Sequence, residues 1–477
     1  MAYTQKKGKY YYVYTTMPPD SDHDAKWVKC HTKHPDTLER WTGKTAAKNW
    51  GDEYEREVNK PTWVDPKLGD TTWDELWDWW IGSIDVEPGT ERFYKDLWYP
   101  HVQPRYGHTP IGRTDRSDVT EWLKQLRAGT VETGTKERRR TQAYSQRTVS
   151  GILKMMKLML EDACDRKPPL LGFNPLEVRI STRRRGRRTA HREMTSRPKL
   201  TATPEQVLAA AVNMHQVVGP GSLAGMGAFV RVLTAGWTGI RPGEQAALDR
   251  GNCFADATPP RIVVHDDDGS LEELPGEDPR TKAPKSGIGR EVLLPMGLAV
   301  VLAAWLEYHS DAIVFPGPEG DDDEGHWRRR RWSYRWNQAA TGGILTLKGP
   351  TRHAEAGEYV LERAVPGLEF KGLRRVHNVW LTELGVPEVA RTNRLGHAMS
   401  DEMQAAYSQV SKPLEAQLLA GLQELWVAAF AGYAGIAAMS IIRSFAPSFG
   451  RASGPVLPSP RAAIAPGGSV VSQASDW

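Results

Sequence analysis

Residues 370 to 410 read FKGLRRVHNVWLTELGVPEVARTNRLGHAMSDEMQAAYSQV, and this stretch constrains the chain more than any other. Val376, Val379, Trp380 and Leu384 recur at helical spacing. That spacing predicts a helix with Arg374 and His377, three residues apart, close together on one side. Gly385 and Pro387 end this helix, and a second is expected from Glu388 into the LGH triplet, with Gly396 as its stop. Tyr407 follows His397 by ten residues. Arginine presents planar, permanently charged forks to phosphate oxygens, and a tyrosine hydroxyl can form a phosphoester. A helical bundle with surface charges accounts for any one of these residues. Taken with a second arginine turn upstream, TGIRPGE carrying Arg241, they point to phosphoryl chemistry.

RLGHAMSDEMQAAYSQV resembles the LGH-to-Tyr box of tyrosine recombinases (phage-type integrases), and KGLRRVHNVWLTELGVPEV resembles the box carrying their second arginine. The likeness is greatest to integrases of actinobacterial mobile elements. Lys371 stands where that family usually has histidine. TGIRPGE resembles the first-arginine box, with Glu244 matching the acidic residue that buttresses it. APKSGIGREVLLP resembles the β-hairpin lysine segment, with Lys285 at the turn and Lys282 as the alternative. The resemblance implies a catalytic set of Arg241, Lys285, Lys371, Arg374, His397 and Tyr407. In that scheme the two arginines bind the non-bridging oxygens of a DNA phosphodiester and Tyr407 attacks phosphorus. Lys371 or His397 orients or deprotonates the phenol, and Lys285 protonates the departing 5′ oxygen. The 3′-phosphotyrosine conserves the bond energy, so no metal, ATP or other cofactor is expected, and the sequence carries no Walker motif.

The function implied is a site-specific DNA recombinase that integrates or excises a mobile element, acting as a homotetramer on double-stranded attachment sites. A directionality factor or host bending protein would assist it, in the bacterial cytoplasm at the nucleoid. A type IB topoisomerase-like enzyme and a DNA-binding regulator without catalysis are the alternatives.

The chain has 477 residues, enough for about two to four domains, with a hydrophobic fraction of 40% and a charged fraction of 25%. Cys30, Cys164 and Cys253 are odd in number and far apart, which argues for a reducing compartment. The N-terminus lacks an apolar h-region, so no signal peptide is expected. Net charge is only +4, yet residues 179 to 199 hold nine Lys or Arg against one Glu, a local +8, so the remainder sums to −4. Focused charge of this kind suits a strap along a phosphate backbone, a solvated linker being the plain alternative. Arg183, Arg184, Arg185, Arg187 and Arg188 are its DNA-binding candidates; Arg138, Arg139, Arg140 and Lys154 are candidates in the preceding region.

The expected fold is multidomain and mainly α with small β-sheets (α+β). Residues 1–66 are expected to form a β-containing module resembling an arm-type DNA-binding domain, with aromatic-rich strands and a helix over 42–58. Residues 67–178 follow as a helical core-binding domain with helices near 72–81, 90–99, 117–127 and 145–166, and residues 128–143 as a polar loop. A basic linker spans 179–202, a mixed α/β catalytic domain 203–428, and a C-terminal helix and disordered tail 429–477. Thr72 with Glu75 and Thr203 with Gln206 form capping boxes. The stripe Trp73, Leu76, Trp77, Trp80, Ile81 reads as core. His23, Cys30, His31 and His34 match structural zinc spacing poorly, and no metal site is expected. The acidic insertion DDDGSLEELPGED is expected to point away from DNA. Arg328 to Arg331, interleaved with Trp327, Trp332 and Trp336, suit either nucleic-acid stacking or a helix with its Trp face inward. Residues 425–442 carry no charge, at the lower limit for a membrane span. A helix buried against a neighbouring subunit is expected there, as the family resemblance implies, and no membrane partner.

Overall fold

The computed structural model describes residues 1–477 except 19–22, 24, 36, 61–65, 136–137, 168, 178–199, 275–276, 319–324, 348–356, 398–409 and 448–477. The chain divides into two units, Met1–Glu193 and Met194–Trp477. Each combines helices with small antiparallel sheets, the α+β class expected.

In the first unit, β1 (Tyr3–Lys7), β2 (Tyr10–Met17) and β3 (Trp27–His31) pair in that order. Strand alternation divides β2 cleanly. Val13, Thr15 and Met17 are buried, and α1 (Lys44–Val58) packs on that face so closely that a Cβ at Gly51 would lie 2.5 Å from Val13. Tyr10, Tyr12 and Tyr14 take the other face. There Tyr3 stacks on Tyr14 at 4.7 Å, Lys7 lies 4.9 Å over Tyr12 and Arg40 5.1 Å over Tyr10. His31 bonds Thr15 at 2.9 Å.

Helix α2 (Trp73–Ser83) starts at the expected capping box, with Glu75 N donating to Thr72 at 3.2 Å and Thr72 N donating back to Glu75 at 2.8 Å. Helix α3 (Pro88–Leu97) runs through a wider turn, Trp98–Val102, into α4 (Gln103–Tyr106), and α5 (Arg116–Ala128) follows. The polar segment expected as a loop instead forms a hairpin, β4 (Glu132–Thr135) with β5 (Arg138–Thr141). Its β-branched Thr133 is buried, with its hydroxyl 2.5 Å from Tyr144, which gives a charged sequence one anchored face. Helix α6 (Gln146–Asp165) completes the bundle. Trp73, Leu76, Trp77 and Trp80 are buried in its core and Trp77 stacks on Trp98 at 4.7 Å, so the tryptophan stripe packs inward.

The second unit opens with α7 (Pro204–Val218) and α8 (Leu223–Thr238), followed across a turn by the short α9 (Pro242–Ala246). Strands β6 (Cys253–Phe254) and β7 (Arg261–Val264) come next, then β8 (Ser270–Glu272), β9 (Arg280–Lys282) and β10 (Arg290–Leu293). The order β10-β7-β6 forms one sheet, and β8-β9 is a hairpin inserted into it. The acidic insertion is this hairpin, and it folds onto the arginine turn: a Cβ at Gly243 would lie 2.7 Å from Ser270 Oγ. Two of its carboxylates are held locally. Glu272 pairs with Lys282 at 2.6 Å and Arg280 at 3.0 Å, and Glu273 accepts from Arg329 N at 2.6 Å.

Helices α10 (Met296–Tyr308) and α11 (Arg329–Thr341) precede the hairpin β11 (Gly343–Leu347) and β12 (Gly357–Leu361). Trp327, Trp332 and Trp336 are buried, which leaves Arg329, Arg330 and Arg331 on the exposed side of α11. Helices α12 (Leu373–Glu383) and α13 (Glu388–Leu395) lie where the periodicity put them, and α14 (Lys412–Ala431) and α15 (Tyr433–Phe445) close the unit. In residues 425–442 Trp426 meets Trp237 at 5.1 Å, and Ala438 and Ile442 join the core of the same unit, while Tyr433 and Ile436 stay exposed. Residue 428 lies inside α14, and the core continues through Phe445. Among the described residues no single helix is long and apolar enough to cross a membrane. The bent pair α14 and α15, at 96°, passes by length and composition only.

Candidate active site

The site is built around the C-terminal turn of α13. Gly396, at φ +60°, ends that helix, so its last carbonyls lack helical partners and carry the negative end of the helix dipole. Three consecutive carbonyls each receive a different guanidinium. Arg290 Nε donates to Arg394 O at 3.0 Å, Arg374 Nη2 donates to Leu395 O, and Arg241 Nη2 donates to Gly396 O at 3.2 Å. One helix end therefore gathers arginines from three separate segments.

Glu244 is the second organiser. Its carboxylate is fully buried and accepts Arg241 N at 2.7 Å, Arg241 Nη1 at 2.7 Å, and Arg290 Nη1 and Nη2 at 3.2 and 2.7 Å. Burial alone would raise its pKa, but Arg290, and then Arg241, outweigh it and hold the carboxyl below the usual range. Position 241 reaches this carboxylate because α8 stops at Gly239, φ +68°, where a Cβ would lie 2.7 Å from the His377 ring. The freed Gly239 carbonyl accepts Arg374 Nη1 at 3.0 Å.

The cations divide by access. Arg290 and Glu244 have side chains 4% and 0% exposed, whereas Arg241 is 21% exposed and Arg374 half-buried. Arg394 is buried. It donates to Leu293 O at 2.9 Å, Trp237 O at 3.1 Å and His377 Nε2 at 3.1 Å. His377 Nδ1 in turn donates to Gly236 O at 2.9 Å, which fixes the tautomer. Burial, and then Arg394, push the His377 pKa well below the ordinary value, so this histidine is a neutral strut. Burial, and then Arg241, push Arg374 down to about 9, and it remains charged at neutral pH. His397 is exposed beside the cluster; partial desolvation, and then Arg374, Arg241 and Arg290, lower its pKa and keep the imidazole neutral at pH 7. Arg241 and Arg290 grip the Glu244 carboxylate and Arg374 and Arg394 lie beside them, an excess of positive charge with two accessible forks and a neutral imidazole. Such an arrangement binds a phosphate diester and stabilises charge developing on its oxygens.

Of the expected catalytic residues, Arg241, Arg374 and His397 come together. Lys285 is exposed on the turn that leads into β10, where Gly287 N donates to Pro284 O at 2.7 Å. The alternative, Lys282, is held by Glu272. Lys371 is exposed in the turn Phe370–Gly372 and pairs with Glu369 at 2.6 Å. Tyr407 lies outside the described residues, as do Arg183, Arg184, Arg185, Arg187 and Arg188. In the first unit Arg139 pairs with Glu132 at 3.3 Å, while Arg140 and Lys154 are exposed and Arg138 begins β5. Sequence reasoning missed Arg290 and Arg394 as members of the cluster. It missed Arg231 too, a buried cation on α8 that lies 4.1 Å over the Trp332 ring and donates to Pro242 O at 3.4 Å, behind the Arg241 turn. Nothing in their immediate sequence marks these three; a buried arginine is recognised by its distant partners.

No protein-family model matches the chain, and no curated protein does either. Among solved structures, the chain is similar to the Tn1549 transposon integrase in complex with circular-intermediate DNA, with 15% identity over 72% of this chain and 98% of that one at a TM-score of 0.47. It is similar to a lambda integrase dimer bound to a COC′ core site, with 12% identity over 71% and 96% at 0.43. It is also similar to XerA recombinase, with 13% identity over 72% and 94% at 0.25.

Proposed function

We propose that this chain is a site-specific DNA recombinase that cuts and rejoins DNA through a 3′-phosphotyrosine. The observation that carries the reading is the convergence of Arg241, Arg374 and His397 on one helix end. Arg241 and Arg374 bind the two non-bridging oxygens of the scissile phosphate and stabilise the second charge that develops in the trigonal-bipyramidal transition state. Tyr407 attacks phosphorus. Its phenol, with an ordinary pKa of about 10, passes its proton to His397, whose neutral ring is the available acceptor. Lys371 assists in orienting the phenol. Lys285, exposed and, among the described residues, not paired with a carboxylate as Lys282 is, delivers a proton to the departing 5′ oxygen. Reversal of these steps with a different 5′ hydroxyl rejoins the strand, so no external energy source enters. The tyrosine-lined face of β1-β2-β3 and the basic segment 179–199 supply further DNA contacts, and a tetramer on paired sites completes the reaction.

The test is to incubate the full chain with a supercoiled plasmid carrying the DNA that borders its gene and to trap covalent protein–DNA adducts, comparing Tyr407→Phe. An adduct that is lost in the variant, with joining of two such sites, is the expected result. Relaxation of single plasmids without joining would instead indicate a topoisomerase. Binding without any adduct would indicate a regulator.

A further inference from the structure

The geometry points to Arg290 as a positioning residue that links the lysine turn to the phosphate-binding arginines. The inference rests on the recombinase reading and adds to it a residue that touches neither DNA nor the reacting atoms. Arg290 is the first residue of β10, directly after the turn that carries Lys285. Its side chain is 4% exposed and uses all three guanidinium nitrogens. Nη1 and Nη2 grip Glu244 at 3.2 and 2.7 Å, and Nε donates to Arg394 O at 3.0 Å. Glu244 is the same carboxylate that orients Arg241, through its backbone nitrogen and its Nη1. The Arg394 carbonyl begins the turn whose next two carbonyls hold Arg374 and Arg241 and which ends at His397. One buried fork thus fixes the base of the lysine turn, the partner of the first arginine and the turn bearing the histidine.

The packing requires an arginine and leaves no room for adjustment. A Cβ at Gly396 would lie 2.9 Å from Arg290 Cδ and Nη1, so this turn closes directly over the Arg290 side chain. Lysine keeps the charge but offers a point donor in place of a fork, and cannot hold Glu244 and the Arg394 carbonyl together. Glutamine removes the charge as well. Since Arg290 lies among the positive groups around His397, with Arg374 and Arg241 opposed by Glu244, the two substitutions separate geometry from charge.

The experiment compares wild type, Arg290→Lys and Arg290→Gln by three readouts: DNA affinity, single-turnover adduct formation on the plasmid described above, and the NMR titration midpoint of His397 in the free protein. Arg290→Gln is expected to leave DNA affinity within about threefold while slowing adduct formation on the order of 100-fold, the usual effect of displacing a catalytic group by about 1 Å. The His397 midpoint should rise. Arg290→Lys should also slow adduct formation but leave the midpoint close to wild type, and it carries the test if the glutamine variant does not fold. Wild-type adduct formation in Arg290→Lys would overturn the inference and leave the recombinase reading intact, as would an unmoved His397 midpoint in a folded Arg290→Gln. A wild-type protein that binds this DNA and never forms an adduct would overturn the recombinase reading and this inference with it.

Discussion

At Glu244 a single carboxylate faces two guanidiniums in a site that water does not reach, and its loss is not a surface effect. Removing one partner of a buried pair leaves the other charge desolvated, so Glu244→Gln should destabilise the second unit by about 3 kcal/mol, read by denaturant unfolding. The pH dependence has a defined sign. The folded-state pKa of Glu244 is depressed, so its contribution is full above the ordinary carboxylate range, about 4.3, and is lost as pH falls through the lower folded value. Wild type should therefore lose stability more steeply than Glu244→Gln below about pH 4. Arg374 makes the complementary case for catalysis. Its fork spans Gly239 O and Leu395 O, and Arg374→Lys keeps a charge without that span; adduct formation should fall by at least about 100-fold while the fold persists. His397 is depressed from its ordinary value by desolvation and then by Arg374, Arg241 and Arg290. The acid limb of the second-order cleavage rate, which reports the free protein, should accordingly lie below about pH 6.5. A limb above that value would exclude His397 as the proton acceptor.

At the scale of elements, the site depends on where helices stop. Gly239 ends α8 and Gly396 ends α13, both in the left-handed region, and each exposes carbonyls that arginines then occupy. Gly396→Ala should cost about 1–2 kcal/mol from backbone strain and, by pushing on Arg290, slow adduct formation more than it weakens DNA binding. Equal losses in both would argue that the turn only supports the fold. These boundaries were legible in the sequence because glycine and proline punctuate it locally: Gly396 within the LGH triplet, the glycine-containing TGIRPGE turn around Arg241, and, at a helix start, Thr203 before Pro204. What the sequence concealed was every partnership across distance. Arg290 lies 46 residues from Glu244 and 104 from Arg394, and Arg394 reaches Trp237 across 157. Periodicity says nothing about such pairs. The same gap explains the acidic hairpin, whose Glu272 is held by Lys282 and Arg280, and the β4-β5 hairpin, whose strands depend on Thr133 meeting Tyr144.

At the scale of the whole molecule, two units with separate cores are joined through a segment whose charge exceeds that of the entire chain, +8 against +4. Hydrophobic patterning made both cores legible, because tryptophans at helical spacing bury themselves whatever lies beyond them. In the last helices one side of the uncharged run packs on α7, α10 and the tryptophans of the same unit, while Tyr433 and Ile436 on the other side stay exposed. The joining segment answers to different physics. If residues 179–199 track a phosphate backbone, each neutralised phosphate releases counterions and steepens the dependence of affinity on salt. Replacing Arg183, Arg184, Arg185, Arg187 and Arg188 together with glutamine lowers the segment from +8 to +3. The slope of log K against log salt should then become shallower by about 4 to 5, with the largest loss of affinity at low salt. Because the catalytic cluster is untouched, adduct formation from saturated complexes should keep its rate. An unchanged slope would make the segment a solvated linker, and a lost rate at saturation would mean that it orders the reacting DNA rather than merely holding it.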